Sequence, residues 1–475
     1  LFVKIFDEQL KENQFIITDD EWNRVKSGEY ATNFTNRITQ IFSATKNQYQ
    51  EVFDRDDRIR LSDNVLGFIV SKLQGISLIN SSDDVKGLAF QKFLSHHEKG
   101  SRGQFFTPSP IVDFCVKMIA PQENETIIDP ACGAGGFLFS SLVYMKNHYK
   151  KATNDIIENQ LFGFDISQSI ARIARMKLML EANCKNNIFC FNALGNLESI
   201  RQKICYEDGF DLVLTNPPFG AKISETTVLT AFDLGHKWSQ TPDGFNKTKL
   251  LHNNQTAEIL FIERSLQLLK KGGRMAIVLP NGNFDNSSLA YLRSYIKERA
   301  NIIAVVRLPQ ETFIPYGTGV KTSLLFLEKK TENQIKPQRI FFSAVSKLGY
   351  QGNKNGAPIF CNDKYGKPIK KDGQLILDED FTEIVNDFAR YKIGADLESS
   401  ASFAIDYEQL NGRFDYDFYS PKHRQFFDNL TLDNSARIGD ICEIVKEKSK
   451  KLKNTPIILL SMLNCRTSTR IRLKL

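Results

Sequence analysis

At 475 residues the chain is too long for a single ordinary hydrophobic core, so roughly two to four domains are expected. Hydrophobic residues at 41% and charged residues at 25% are an ordinary globular balance. No apolar run is long enough to cross a membrane as a helix, which excludes a helical membrane protein. The net charge of +7 is local: Lys446 to Leu475 carries nine Lys or Arg against Glu447 alone, leaving the remainder close to neutral. A basic end of this kind is first a solvated tail and only second a nucleic-acid contact.

The eight cysteines include no Cys-x-x-Cys pair, and His96-His97 has no partner at a metal-ligand spacing. Both features argue against a zinc site or a disulfide framework and for the reducing cytoplasm, and no metal is expected. No secretory signal opens the chain. Leu1 in place of an initiating Met leads us to expect a longer parent sequence.

Residues 1–98 read as a helical domain. Val65 to Leu73 and Leu88 to Leu94 carry apolar residues at three- and four-residue spacings between stretches of mixed charge. From 99 to 345 the texture changes to short apolar strands alternating with helices. Thr126–Asp129, Leu161–Asp165, Asn187–Phe191, Phe210–Leu214 and Met275–Leu279 are the strand candidates. Ser167–Asn183 and Ala257–Leu269 read as helices, the second stopped by Lys270-Lys271-Gly272-Gly273. Such alternation predicts a doubly wound α/β sheet, on which ligands bind beyond the carboxyl ends of the strands. Residues 346–410 are turn-rich with weak periodicity and read as an extension or linker. A new module opens near 411, with Phe414 to Tyr419 and Arg437 to Ile441, and its length to 475 is too short for a domain with its own core.

The residues with chemical potential follow strands. Asp129-Pro130-Ala131-Cys132-Gly133-Ala134-Gly135-Gly136-Phe137 lies between the first strand and a helix. Its glycines let backbone approach a ligand closely, and helix amides and a strand-end acid offer partners. The dinucleotide fingerprint Gly-x-Gly-x-x-Gly is not matched, because Gly133, Gly135 and Gly136 have a different spacing. Asp165, at the end of the next strand, is placed to bind a ribose diol or to cap the following helix, and both roles are compatible.

Asn216-Pro217-Pro218-Phe219 is the sharpest signal. The lone pair of an aromatic exocyclic amine is conjugated into its ring and attacks poorly. An amide oxygen from Asn216 and the carbonyl of Pro217 can accept the amine protons and draw the nitrogen towards a reactive geometry. The two prolines stiffen the loop that carries these acceptors, and Phe219 offers a ring for stacking on a base swung out of a duplex. The alternative is a plain proline turn closing a strand. Four specified residues arise by chance in such a chain well below roughly one time in a hundred.

Taken in order, these motifs resemble those of the N6-adenine DNA methyltransferases, and in particular the modification subunit of type I restriction–modification systems. Gly103-Gln104-Phe105-Phe106-Thr107-Pro108, upstream of the glycine turn, resembles the first cofactor motif of that family. The resemblance covers about residues 55 to 345. It implies a Rossmann-like, S-adenosylmethionine-dependent methyltransferase core behind the helical N-terminal domain. It also implies that Gln104, Phe105, Phe106 and Thr107 contact the methionine end of S-adenosylmethionine, with Thr107 bonding its carboxylate. Asp129, Gly133, Ala134 and Gly135 would line the methionine and ribose, Asp165 would hold the ribose hydroxyls, and Asn216, Pro217, Pro218 and Phe219 would hold the target adenine. Thr318 to Phe326 resembles a later motif beside the flipped base, with a plain edge strand as the alternative.

One departure stands out: where the family often has an Asp after the third strand, this chain has Asn192. Its carbonyl can accept the bond from the cofactor's adenine amine, but without charge assistance the bond is weaker by about 1 kcal/mol. The stretch Arg413 to Pro421 with Ile438 to Ile441 resembles the opening of a specificity domain, with a charged linker as the competing account. The partners implied are double-stranded DNA, a specificity subunit or domain, and a restriction subunit or nuclease domain. Two rival readings remain. One is an amine methyltransferase acting on RNA or on protein glutamine; the other is a non-catalytic DNA-binding or assembly subunit.

Overall fold

In the computed structural model the described residues are 2–78, 106–181, 186–204, 209–332, 339–430, 443–446 and 471–474, apart from 11, 30, 31, 51, 55, 180, 243 and 372. The apolar stretch Leu88–Leu94, the pair His96-His97, Gln104 and Phe105, the end of the expected 167–183 helix, Arg437–Ile441 and most of the basic tail lie outside them. Two compact units are present, Leu1–Tyr416 and Asp417–Leu475.

The first unit is built on a nine-stranded sheet. Its strands are β1 (Ile127–Asp129), β2 (Leu161–Asp165), β3 (Asn187–Cys190), β4 (Phe210–Thr215), β5 (Leu269–Pro280), β6 (Ala300–Arg307), β7 (Thr322–Lys329), β8 (Arg339–Ala344) and β9 (Phe403–Asp406). Their spatial order is β9-β8-β6-β7-β5-β4-β1-β2-β3. The pairs β1–β2, β2–β3, β1–β4, β4–β5 and β6–β8 are parallel, whereas β7 runs antiparallel to both β5 and β6, and β9 antiparallel to β8. This is the mixed, mostly parallel α/β architecture that the alternation of apolar runs predicts.

Burial on both faces explains the composition of the central strands. Leu212 and Leu214 of β4 join a core with Phe114, Leu138, Phe326 and Phe341, while Val213, which points to the opposite face, is also fully buried. Helices α1 (Phe2–Glu8), α2 (Asp19–Ser27), α3 (Thr32–Gln48) and α4 (Asp63–Leu73) precede the sheet. They form their own cluster around Phe15, Phe34, Ile38 and Val70. Thr18 and Glu21 make a reciprocal capping box at the start of α2. The helical region is tied to the sheet layer by Phe2, Tyr49 and Val52, which pack with Met176 and Met179, and by Arg172, which bridges Asp54 and Asp57 at 2.5 and 3.0 Å.

Helices α5 (Ser109–Ile119), α6 (Gly136–His148), α7 (Gln168–Met179), α8 (Leu197–Ile204), α9 (Ala257–Leu268) and α10 (Ala290–Arg299) connect or cover the strands. The end of α9 differs from the expected glycine stop. The helix closes at Leu268 and the chain turns at once into β5, so Lys270-Lys271-Gly272-Gly273 lies inside a strand. There it forms an irregularity: Phe210 pairs with Leu269, and Leu212 pairs with Arg274. A Cβ on Gly273 would stand 2.9 Å from the Phe210 carbonyl oxygen, so the glycine serves close backbone approach and not a helix cap.

Residues 346–410 hold more order than their composition signals. Helix α11 (Phe381–Lys392) places Phe381, Ile384 and Phe388 in the main core, with Phe381 against Phe114 and Phe388 edge-on to Phe341. The 3-4-3 spacing of Phe381, Ile384, Phe388 and Tyr391 carried that signal, overshadowed by the turns before it. Residues 411–416 pack within the first unit: Phe414 is buried and its amide donates to the Phe284 carbonyl at 2.9 Å. In the second unit a helix spans Pro421–Leu430, and Glu443–Lys446 pairs antiparallel with Ile471–Lys474. Phe388→Ala should lower the unfolding free energy of the first unit by about 3–5 kcal/mol, read from urea denaturation; a change below about 1 kcal/mol would contradict this packing role.

Candidate cofactor and target-base site

In the sheet order the chain runs β1, β2, β3 to one side and then returns to place β4 on the other side of β1. That switch opens a crevice at the carboxyl ends of β1 and β4. Parallel pairing of Ile127 with Leu212 and Ile128 with Val213 puts Asp129 and Thr215-Asn216 beside each other at its floor. Sequence alone separates these residues by more than eighty positions.

The glycine turn follows β1. Cys132 donates its amide to the Phe164 carbonyl at 2.8 Å, Gly135 donates to the Cys132 carbonyl at 2.8 Å, and the Ala131 amide donates to Asp129 Oδ1 at 3.0 Å. Gly133 and Gly135 take left-handed φ values of 52° and 76°, which side chains resist. A Cβ on Gly135 would press on Ala174 of α7 at 3.1 Å, whereas the same position on Gly133 meets nothing within 4 Å and faces open space. Gly135 therefore serves packing, and Gly133 leaves room. Ala134 is buried.

Asp129 is 1% exposed, and this burial pushes its carboxyl up to about 7; the Thr215 hydroxyl and the Ala131 amide oppose the shift, and the negative charge of Asp165 adds to it. Asp165 is also raised by burial, against the amides of Ser167 and Gly133. The Ser167 amide donates to Asp165 Oδ1 at 2.7 Å, a local turn ahead of α7; because Ser167 and not Asp165 precedes the first helical residue, the acid does not cap the helix, and its carboxylate borders the glycine turn. Two carboxyls that would gain from a cation therefore sit in one crevice. Asn192 lies exposed after β3, where its Oδ1 accepts from the Leu194 amide at 3.0 Å and shapes a tight turn.

Asn216 follows β4. Its Nδ2 donates to Thr107 Oγ1 at 2.9 Å, while its Oδ1 is buried and has no partner among the described residues. Pro217 is buried; Pro218 and Phe219 are half-buried. Phe219 meets Phe313 edge to face, with ring centroids 6.0 Å apart. The loop is pinned at its far end, where the Gly220 amide donates to Glu258 Oε2 at 3.0 Å. Phe106 and Thr107 are half-buried just before α5. Thr107 and Asn216 are thus in contact across 109 positions.

Thr318 to Phe326 is not a plain edge strand: β7 lies between β5 and β6. Its Ser323 hydroxyl donates to Asn281 Oδ1 at 2.9 Å. Two residues of the site escaped the sequence reading. Thr215 could have been noticed as a lone hydroxyl closing an apolar strand; Phe313 has no local signal, because it meets Phe219 only through the fold. Among the described residues no cluster of His, Cys, Asp or Glu is arranged to hold a metal, and no helix is long and apolar enough to cross a membrane.

Residues 81–367 match the family described as N-6 DNA Methylase. The chain belongs to this family. The chain is similar to the type I restriction enzyme EcoEI methylase subunit of Escherichia coli, with 29% identity over 55% of this chain and 50% of that protein. It is likewise similar to the StySPI methylase subunit of Salmonella potsdam, with 26% identity over 70% of this chain and 62% of that one. The chain therefore spans about half to three-fifths of the length of these relatives. In fold it is similar to a modification subunit of a putative type I restriction enzyme from Vibrio vulnificus YJ016, with a TM-score of 0.55 at 20% identity over 81% of this chain and 73% of that one.

Asp129 provides a test of the site's electrostatics in the protein without added ligand. Its folded pKa lies above the unfolded value, so its contribution to stability is full below about pH 4 and is lost as pH rises through about 7. Asp129→Asn should remove this dependence, flattening a decline of about 1–4 kcal/mol between pH 4 and 8 in urea titrations. An unchanged profile in the variant would show that Asp129 is ionised throughout.

Proposed function

We propose that the protein transfers a methyl group from S-adenosylmethionine to the exocyclic N6 of an adenine swung out of double-stranded DNA. The observation that carries this reading is Asn216 Oδ1: a buried acceptor without a partner among the described residues, on a proline-stiffened loop beside two crevice acids. An unpaired buried acceptor costs stability, and a ligand that donates a proton there recovers it.

The residues suit the cofactor. Asp129 and Asp165 offer negative charge to a cationic ligand, Asp165 can bond vicinal hydroxyls, and the open face at Gly133 admits a ligand against backbone. Gln104, Phe105, Phe106 and Thr107 would close over its methionine end, and Ala134, Gly135 and Asn192 would complete its surroundings. When bound, the cofactor supplies an electrophilic methyl on a sulfonium. Asn216 Oδ1 and the Pro217 carbonyl accept the amine protons, which holds the nitrogen with its electron pair directed at that methyl. The amine proton made surplus by methylation would pass from these acceptors to water. Phe219 offers its ring to the base, its orientation held by Phe313. The rate arises from positioning and preorganised acceptors.

Similarity to methylase subunits of type I restriction enzymes supports a place in a restriction system. There the chain would work on double-stranded DNA with a specificity subunit or domain and with a restriction subunit or nuclease domain, in the cytoplasm. Modules of that kind supply base readout.

Asn216→Ala should reduce methyl incorporation into duplex DNA by about 100-fold or more, while cofactor affinity by calorimetry changes less than about threefold. Retained transfer in the variant would overturn the assignment. Preference of the wild-type protein for RNA or protein glutamine over duplex DNA would move the acceptor to the rival class.

A further inference from the structure

The Asn216 amide has two ends, and only one orientation serves an amine. With Oδ1 towards the amine it accepts a proton; with Nδ2 there, donor would face donor. The structure holds the first orientation: Nδ2 donates to Thr107 Oγ1 at 2.9 Å, and Oδ1 is the buried end left without a partner among the described residues. Reversing the amide would give Oδ1 the hydroxyl and leave Nδ2 facing the target.

A threonine hydroxyl can donate or accept, so by itself it tolerates either orientation. It selects one only when its proton is committed elsewhere. No described residue takes that proton, and Thr107 stands just before α5, which packs on α6 directly behind the glycine turn, with Val112 against Gly136. A carboxylate oxygen of a ligand in the crevice is chemically suited to accept that proton.

We propose that Thr107 is a positioning residue for methyl transfer: it gives its proton to a carboxylate oxygen of the bound cofactor, keeps only a lone pair for Asn216, and so locks the amide with Oδ1 towards the target amine. This inference rests on the methyltransferase reading above. It makes the orientation of the base-holding amide depend on occupancy of the cofactor site, across a contact that spans 109 positions of sequence.

The test compares Thr107→Val, which keeps the shape and loses the hydroxyl, with Thr107→Ser, which keeps the hydroxyl, in the full chain assembled with its DNA-reading partner. Thr107→Val should lower kcat at saturating S-adenosylmethionine by about 10- to 100-fold and weaken cofactor binding by about tenfold through the lost bond to its carboxylate, while flipping of a 2-aminopurine target changes less than about threefold; Thr107→Ser should restore kcat to within about threefold. A second readout needs no turnover. In asparagine-labelled protein, cofactor should slow exchange of the Asn216 side-chain amide protons in the wild type and not in Thr107→Val. Unchanged kcat at saturating cofactor in Thr107→Val would overturn the proposal. So would cofactor-insensitive amide exchange in the wild type. A wild-type protein that binds cofactor and slows the Asn216 amide yet transfers no methyl would support the positioning role and overturn the methyltransferase reading instead.

Discussion

The parallel pairing of β1 with β4 is the constraint on which the rest of the site depends. These short strands leave the same edge of the sheet, so whatever follows each of them shares one crevice. After β1 comes an acid and a glycine turn; after β4 comes an amide on a proline-stiffened loop. Two backbone-paired, fully buried strands are a rigid frame, and rigidity matters because amine activation depends on acceptor placement at the scale of an ångström.

The frame also imposes a cost. Asp129 sits where water cannot reach it, and Asn216 Oδ1 is buried without a donor. In a structural core either group would be a liability. Here each faces the crevice, and each has a complementary partner in the proposed ligands: a cationic cofactor for the acid and a primary amine for the amide. Two left-handed glycines and a proline-rich loop fix the chain at the same edge without such a cost, because glycine takes positive φ freely.

The Thr107–Asn216 bond connects this floor to the segment before α5, which is how a motif far upstream in sequence reaches the loop after β4. The interaction joins the segment before α5 to the loop after β4 without an intervening charge. A hydroxyl is suited to that position, because its donor and acceptor roles are interchangeable until a ligand fixes one of them.

Much of the fold was legible because buried parallel strands must be apolar throughout and their helices must be amphipathic; β1 to β4 and α9 were readable on that ground alone. The chemistry at strand ends was legible too, since Asn216 to Phe219 is an improbable string whose every member has a use. Helix α11 was obscured by the turns that precede it, and β7 could not be told from an edge strand because neighbours in a sheet are long-range partners. What the sequence by itself determined is the set of functional groups and the elements that carry them, because periodicity and local stiffness are properties of adjacent residues. What only the tertiary structure decided is which groups meet: the pairing of Thr107 with Asn216, the contact of Phe313 with Phe219, and the shift of Asp129. Each of these depends on distance and dehydration created by folding, and neither quantity is encoded in residue type.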